Sequence, residues 1–473
     1  MPNLSGSDIS LDTRASERDI SFREPPARPS HGVYVIGHVT PAYLVRRFFS
    51  SGMGKTAGIY TGANLLNSAV PFFLLPILTR YLSPADYGVV AMINVLIAFA
   101  APFTGLIGHG ALARRYFDGE RDNIPRFVTT ILVILVVSTA ALSLIVWIGA
   151  GPIARIAAVP RSWLWSVPLI SALRSFTTVV LVLWQVRTMA FRYGVYQILL
   201  TTLNLGMSIL LIVGLGMEWQ GRIVGEILAL TVFTVVGIII LLRGGWLAQG
   251  YDRRDARYAL SFSVPLIPHT IGVIVITLSD RLFITRMVGI ADTGIYSVGY
   301  QIGMIIALLQ DSFARAWGPW LYNRLNGANA AVKREIVWAS YAYFAAILFA
   351  AVGLSITAPW FLRFFLGTSF AGSSKYVIWV ALGYAFSGMG KMVATYIFYA
   401  KRTGVVSIVT FLTALLNLGL NYVFISRNGA IGAAQATTLS FLFTFIVSWI
   451  VSARLYPMPW NPFRRVGGKD SNE

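Results

Sequence analysis

Hydrophobic positions in this chain gather into blocks, divided by short polar stretches rich in arginine. Each block runs to roughly twenty residues, the length that carries an α-helix across a hydrocarbon core about 30 Å thick. From residue 57 onward the pattern predicts about twelve spans of this kind. Their limits are 57–80, 88–112, 127–149, 164–186, 194–216, 222–242, 260–284, 292–316, 336–357, 376–399, 404–425 and 430–453. The expected fold class is therefore an all-α polytopic membrane protein. Residues 1–54 break the pattern. They are polar, include Pro25, Pro26 and Pro29, and mix acids with bases, so they bury too little apolar surface to fold alone. They read as a cytoplasmic tail without the features of a signal peptide. The membrane part begins directly after Met53, which makes that methionine a candidate start.

A repeat divides the spans into two sets of six. Thr79-Arg80, Asp86 and Gly88 recur as Thr285-Arg286, Asp292 and Gly294, 206 residues later. Gly194-Val195 with Asn204-Leu205-Gly206 returns as Gly404-Val405 with Asn417-Leu418-Gly419, and Gly221-x-Ile223 returns as Gly429-x-Ile431. Six spans per half insert both halves the same way round, so the pseudo-twofold runs along the membrane normal. Two six-helix lobes are expected, 55–243 and 260–457, joined by a cytoplasmic linker at 244–259 and followed by a cytoplasmic tail at 458–473. Such lobes face each other across a central cavity, as in a transporter.

Composition agrees and narrows the classes. Hydrophobic residues make up 56% and charged residues only 12%, against about a quarter charged in soluble domains. A soluble enzyme and a disordered chain are excluded, and with no cysteine so are a secreted disulfide scaffold and thiolate chemistry. The net charge of +19 comes mostly from loop arginines and lysines, which set topology rather than bind nucleic acid. One side collects clusters such as Arg114, Arg115, Arg121 and Arg126, or Arg253, Arg254 and Arg257. The other has Arg80, Arg155, Arg161, Arg222, Arg286, Arg363, Lys375 and Arg427, a bias of more than twofold that puts both termini in the cytoplasm. The four histidines are scattered, so no metal or other cofactor is indicated. Ser51–Thr56 imitates the end of a phosphate-binding loop, but Phe49 stands where glycine is required.

Charged groups at membrane depth are costly and mark function or a buried partner. Arg174 lies near the middle of span 4, with Thr178 and Gln185 on its face. Lys391 lies near the middle of span 10, in a stripe with Tyr384, Ser387 and Thr395. Asp280 and Arg281 occupy span 7, bent upstream by Pro265 and Pro268. Glu226, in the first turns of span 6, suits the positive end of a helix dipole better than proton coupling. Asp311 and Arg315 are spaced as an i, i+4 pair, and Asn64 with Asn67 and Asn417 with Asn421 are spaced to bond across helices. Arg174, Arg281 and Lys391 outnumber Asp280, a surplus that favours an anionic cargo.

The run Tyr258-Ala-Leu-Ser-Phe-Ser-Val-Pro-Leu-Ile-Pro268, then Asp280-Arg281 and Gly294-Ile-Tyr296, resembles the polysaccharide transporter (Wzx-type) family of oligosaccharide-lipid flippases. Leu74-Leu-Pro-Ile-Leu-Thr-Arg-Tyr-Leu-Ser-Pro-Ala-Asp-Tyr-Gly88 is similar to that family's opening motif, and Gln185-x-Arg187 through Phe191-Arg192 adds to the likeness, which spans 57–455. The superfamily also holds lipid II flippases and multidrug exporters. The resemblance implies an inner-membrane protein, not an enzyme, that flips an undecaprenyl-pyrophosphate-linked oligosaccharide outward by ion-driven alternating access. Polymerase and chain-length proteins of the same pathway are the implied partners. On that reading Arg174, Arg281 and Lys391 hold the pyrophosphate, Asp280 or Glu226 couples the ion, and Tyr300, Tyr384 and Gln185 contact sugar. A multidrug exporter is the nearest rival, expected to have a more acidic cavity. A membrane-embedded polymerase would need paired outer carboxylates, and Asp86, Glu218 and Asp292 are far apart in sequence.

Overall fold

The computed structural model describes residues 72–118 and 123–461, together with Gly62. The N-terminal tail, the phosphate-loop imitation, the start of span 1 with Asn64 and Asn67, and residues 462–473 lie outside the described residues. All regular structure among the described residues is helical. Nine of these helices are long and apolar enough to cross a membrane, ten if one bent pair counts as a span. The fold is a polytopic α-helical membrane protein.

Helix α1, Phe72–Tyr81, is the end of span 1. Span 2 is α2 (Pro84–Ala100) and α3 (Gly108–Phe117), bent by 40°. At the bend Leu106 and Ile107 take left-handed φ values of 47° and 56°, strained for bulky side chains. A Cβ on Gly108 would meet the Ile131 side chain at 2.9 Å, so the chain turns where it meets α4 (Ile124–Ile148). Then come α5 (Ala150–Ala157), α6 (Ser166–Val186), α7 (Ala190–Ile209) and α8 (Trp219–Arg243). The second set runs α9 (Arg253–Ser263), α10 (Ile267–Met287), α11 (Ile290–Gly303), α12 (Ile305–Leu325), α13 (Ala330–Phe365), α14 (Ser374–Tyr399), α15 (Thr403–Asn428) and α16 (Ala430–Leu455). Among the described residues spans 2–12 thus each have a helical counterpart and α1 gives the end of span 1, although span 8 is broken at Met304, between α11 and α12.

Ordered structure continues into both stretches expected to flank the second lobe. The linker placed at 244–259 is helical from Arg253, because Asp252 caps α9 by accepting from the Arg254 N–H at 2.7 Å. Buried Ala256, Ala259 and Ser263 give α9 a packed face. Asp255, also on α9, pairs with Arg115 of α3 at 3.2 Å, and the Tyr258 hydroxyl donates to Asp118 at 2.6 Å. Arg126 of α4 reaches Asp252 at 3.2 Å. The Arg254 N–H, with Arg126 close by, holds the Asp252 carboxyl below the usual range. Residues 458–461 are not free tail. The Tyr341 hydroxyl donates to the Trp460 carbonyl, and the Trp460 ring packs edge-on against Tyr396 and Trp449.

The repeat has a structural meaning. α2 and α11 cross where the two lobes meet, and the crossing is symmetric. A Cβ on Gly88 would lie 2.1 Å from the Ile290 carbonyl oxygen, and one on Gly294 would lie 1.9 Å from that of Pro84. Pro84 and Ile290 are also 206 residues apart. Each glycine therefore lets the other helix's first turn approach backbone to backbone, as small residues do between membrane helices. At the same end, a Cβ on Gly367 would lie 2.1 Å from the Thr79 carbonyl oxygen, and Arg286 donates to the Arg155 carbonyl at 3.2 Å. The lobes are closed at this end. α1 packs between them: Leu74, Leu75 and Leu78 share one core with Val298, Ile302, Ala358 and Leu362.

Candidate functional site

Below that crossing lies a cavity of about 370 Å³. It is lined by apolar side chains of α1 and α2 and by Ser297, Tyr300 and Gln301 of α11. Three arginines reach it: Arg174 from α6, Arg222 from α8 and Arg281 from α10. Tyr87 bridges the lobes across its roof, its hydroxyl donating to Gln301 Oε1 at 2.9 Å.

The N-lobe arginines share one carboxylate. Arg174 donates through Nε to Glu226 Oε1 at 2.8 Å, and its Nη2 reaches the same oxygen. Arg222 approaches Glu226 Oε2 at 3.3 Å, and its Nη1 donates to Asn204 Oδ1 at 2.9 Å and to Ser208 Oγ at 3.1 Å. Glu226 is buried, with its side chain 3% exposed, whereas Arg174 is 44% exposed and Arg222 14%. A buried carboxylate needs compensation on this scale. Glu226 is therefore held by arginines, not by the start of its helix, which lies about 10 Å away.

In the C-lobe, Asp280 Oδ1 pairs with Arg281 Nη1 at 2.9 Å and accepts the Arg281 N–H at 2.8 Å, while its Oδ2 accepts from the Tyr296 hydroxyl. Arg281 also donates to the Thr277 carbonyl at 3.0 Å. Its guanidinium lies 4.2 Å from the Tyr300 ring centre, within cation–π range. The Tyr300 and Tyr384 hydroxyls are 2.8 Å apart. Asp280 is fully buried and does not line the cavity, although its partner Arg281 does.

The structure brings Arg174, Arg281 and Tyr300 to one cavity and places Glu226 and Asp280 directly behind its arginines. It does not place Lys391, Tyr384 or Gln185 among the lining residues. Lys391 donates to Asp311 of α12 at 2.6 Å, both side chains about half exposed, so Asp311 pairs across helices and not with Arg315 as its spacing suggested. Gln185 is exposed and is the next-to-last residue of α6. Asn417 bonds across helices as its spacing suggested, to Ser440 on α16 and Ser279 on α10, whereas Asn421 donates to Asn417 within α15 at 2.9 Å.

Sequence reasoning missed Arg222. It counted as a loop charge because it stands at the very start of the expected span 222–242, yet it lies one turn inside α8, which begins at Trp219. Its spacing of four from Glu226 was the available signal. With Glu226 and Asp311 included, the deep positive surplus shrinks. Arg174, Arg222, Arg281 and Lys391 face Glu226, Asp280 and Asp311, and the cavity arginines exceed their carboxylates by one.

Residues 53–323 match the family described as polysaccharide biosynthesis protein. The chain belongs to that family. A protein of the Lsg locus of Haemophilus influenzae is 24% identical over 409 residues, covering 83% of this chain and 98% of its own length. An uncharacterized membrane protein of the same organism is 24% identical over 370 residues, 77% of this chain and 88% of its own. Among solved structures, lipid II flippase MurJ in an inward closed conformation superposes with a TM-score of 0.66 at 13% identity, covering 84% of this chain and 87% of that one. An inward-facing multidrug resistance MATE transporter of the MOP superfamily gives 0.63 at 15% identity, covering 82% and 94%. These likenesses give this member of the family the two-lobed MurJ/MATE-like fold.

Proposed function

We propose that this protein flips an undecaprenyl-pyrophosphate-linked oligosaccharide from the cytoplasmic to the outer leaflet of the bacterial inner membrane, for exopolysaccharide, O-antigen or capsule assembly. The observation that carries this reading is the convergence of Arg174, Arg222 and Arg281 on one interlobe cavity, in a chain of the polysaccharide biosynthesis family. Guanidinium groups in a confined, low-dielectric space bind phosphate oxygens in pairs and favour an anion over a cation. A cavity for cationic drugs would leave carboxylates free, whereas Glu226 and Asp280 are both taken up by arginines.

In this reading the pyrophosphate sits at the arginines, the sugars lie against Tyr300 with Tyr384 behind it, and the polyprenyl chain stays in the bilayer. The lobes are 55–243 and 260–457, with both termini cytoplasmic, so α2 and α11 start at the outer face and the crossing at Gly88 and Gly294 is an outer gate. Lys391, beside Asp311, is a second anion contact reached by another part of the cargo path. An ion gradient drives the cycle, with Asp280 or Glu226 as the coupling carboxylate. Polymerase and chain-length proteins receive the product.

Deletion of the gene in its host, with complementation at matched protein level, tests the reading. Wild type restores surface polysaccharide, and Arg174→Ala, Arg222→Ala and Lys391→Ala do not. A deletion that leaves polysaccharide intact and sensitises cells to cationic drugs refutes it in favour of an exporter.

A further inference from the structure

A phosphate entering the cavity finds its arginines already occupied. We propose that Glu226 is a built-in counter-ion that holds Arg174 while the cavity is empty and yields it to a phosphate when cargo arrives. The inference rests on the flippase reading and adds how cargo is released.

The two arginines on Glu226 are not equivalent. Arg222 is mostly buried and fixed by Asn204 and Ser208 as well as by Glu226 Oε2. Arg174 is nearly half exposed to the cavity, and among the described residues its one hydrogen-bond partner besides Glu226 Oε1 is Asn94 Oδ1, at a long 3.4 Å. Only the Arg174 bond is free to exchange. When it breaks, Glu226 keeps Arg222, so no buried carboxylate is left without a counter-charge and the large cost of an orphaned charge is avoided. Arg174 meanwhile trades one carboxylate oxygen for two phosphate oxygens. The C-lobe pair cannot work this way, because Arg281 and Asp280 are 8% and 0% exposed and locked by Tyr296 and Thr277.

Such an exchange makes binding weaker than three arginines alone would give, and release correspondingly easier. A transport site must bind well enough to load and weakly enough to unload. When the phosphate leaves, Glu226 retakes Arg174 and resets the empty state.

Glu226→Gln keeps the volume and removes the competitor. Farnesyl pyrophosphate, titrated by calorimetry into the full chain in detergent, should bind it about tenfold tighter than wild type, the worth of one charge-assisted bond. Flipping of the natural cargo, read as surface polysaccharide, should fall because release slows. Inorganic pyrophosphate as a parallel probe should show the same gain if the phosphates, and not the isoprenoid, are what Glu226 opposes. Arg174→Ala should weaken both probes and abolish the difference between Glu and Gln at 226. If wild type binds and Glu226→Gln binds equally or more weakly, Glu226 only braces the arginines and the inference is overturned. If wild type binds neither probe, the flippase reading fails and takes the inference with it. Should Glu226→Gln not survive purification, Glu226→Asp, which draws the carboxylate back by one methylene, should also tighten binding, and a loss there overturns the inference equally.

Discussion

Gly294→Ala is the smallest perturbation that tests the lobe crossing. Its new Cβ would stand 1.9 Å from the Pro84 carbonyl oxygen, where carbon and oxygen approach no closer than about 3.3 Å. The helices must part by roughly 1.4 Å at this point, and because the obstacle is backbone no side-chain rotation relieves it. Overpacking of this kind costs about 1–3 kcal/mol. The cost falls on the closed arrangement alone, since the contact is between lobes, so the closed-to-open ratio should drop by about 5- to 150-fold. The chain has no cysteine, so Ser297→Cys, one turn further along α11 and facing the cavity, introduces a single thiol. An impermeant maleimide added to intact cells should label it faster by that factor when Gly294→Ala is also present. Gly88→Ala should act alike, its Cβ meeting Ile290 at 2.1 Å. Gly206→Ala and Gly419→Ala, where a Cβ would meet nothing within 4 Å, should leave the rate unchanged. An unchanged rate in Gly294→Ala with normal folding would refute the idea that this crossing seals the outer side.

Further outcomes follow from the ion pairs. Asp280→Asn strands the buried Arg281 and should destabilise the protein by about 3–5 kcal/mol, read by thermal unfolding in detergent, whereas Asp280→Asn with Arg281→Met should recover most of the loss. Arg222→Ala should lower the melting temperature more than Arg174→Ala does, because it also abandons Asn204 and Ser208; equal losses would contradict the division of labour drawn here. Lys391→Ala breaks a half-exposed pair worth about 1 kcal/mol or less, so loss of complementation there, with normal stability, reports on function and not on folding. The Asp252 carboxyl is held low, so its hold on α9 is complete above the ordinary aspartate range and lost only as pH falls through the lowered value. Hydrogen exchange of α9 amides should accordingly show no Asp252-linked change near neutrality and rise on acidification, and a rise beginning near neutrality would contradict this.

How much was legible in the sequence depended on the range of the interaction. Hydrophobic block length is local, and the spans came through. The Asp-x-Gly repeat at Gly88 and Gly294 announced two related halves, and the reason for it, mutual backbone approach across the pseudo-twofold, became visible only when α2 met α11. Breaks at Leu106 and Met304 left no mark in the block pattern, because neighbouring helices impose them: Ile131 crowds Gly108, and Val380 lies 2.6 Å from where a Cβ on Gly303 would stand. Depth correctly flagged Arg174 and Arg281 as charges in need of partners. It could not name Glu226, 52 residues away in sequence, nor pair Lys391 with Asp311. Arg222 was read as a loop charge because it stood first in its apolar block, whereas the helix starts one turn earlier at Trp219.

The helix α9 lies mostly in the expected linker, and Arg115, Asp118 and Arg126 tie it to the first lobe, while α10 continues into the second. Between them lie Val264, Pro265 and Leu266, a single 3-10 turn whose proline removes one backbone donor. The chain thus passes from an arm fixed to one half to an arm packed on the other across only three residues. Under the proposed alternating-access cycle that turn is where the lobes would pivot, so stiffening it should shorten the swing without touching the cavity.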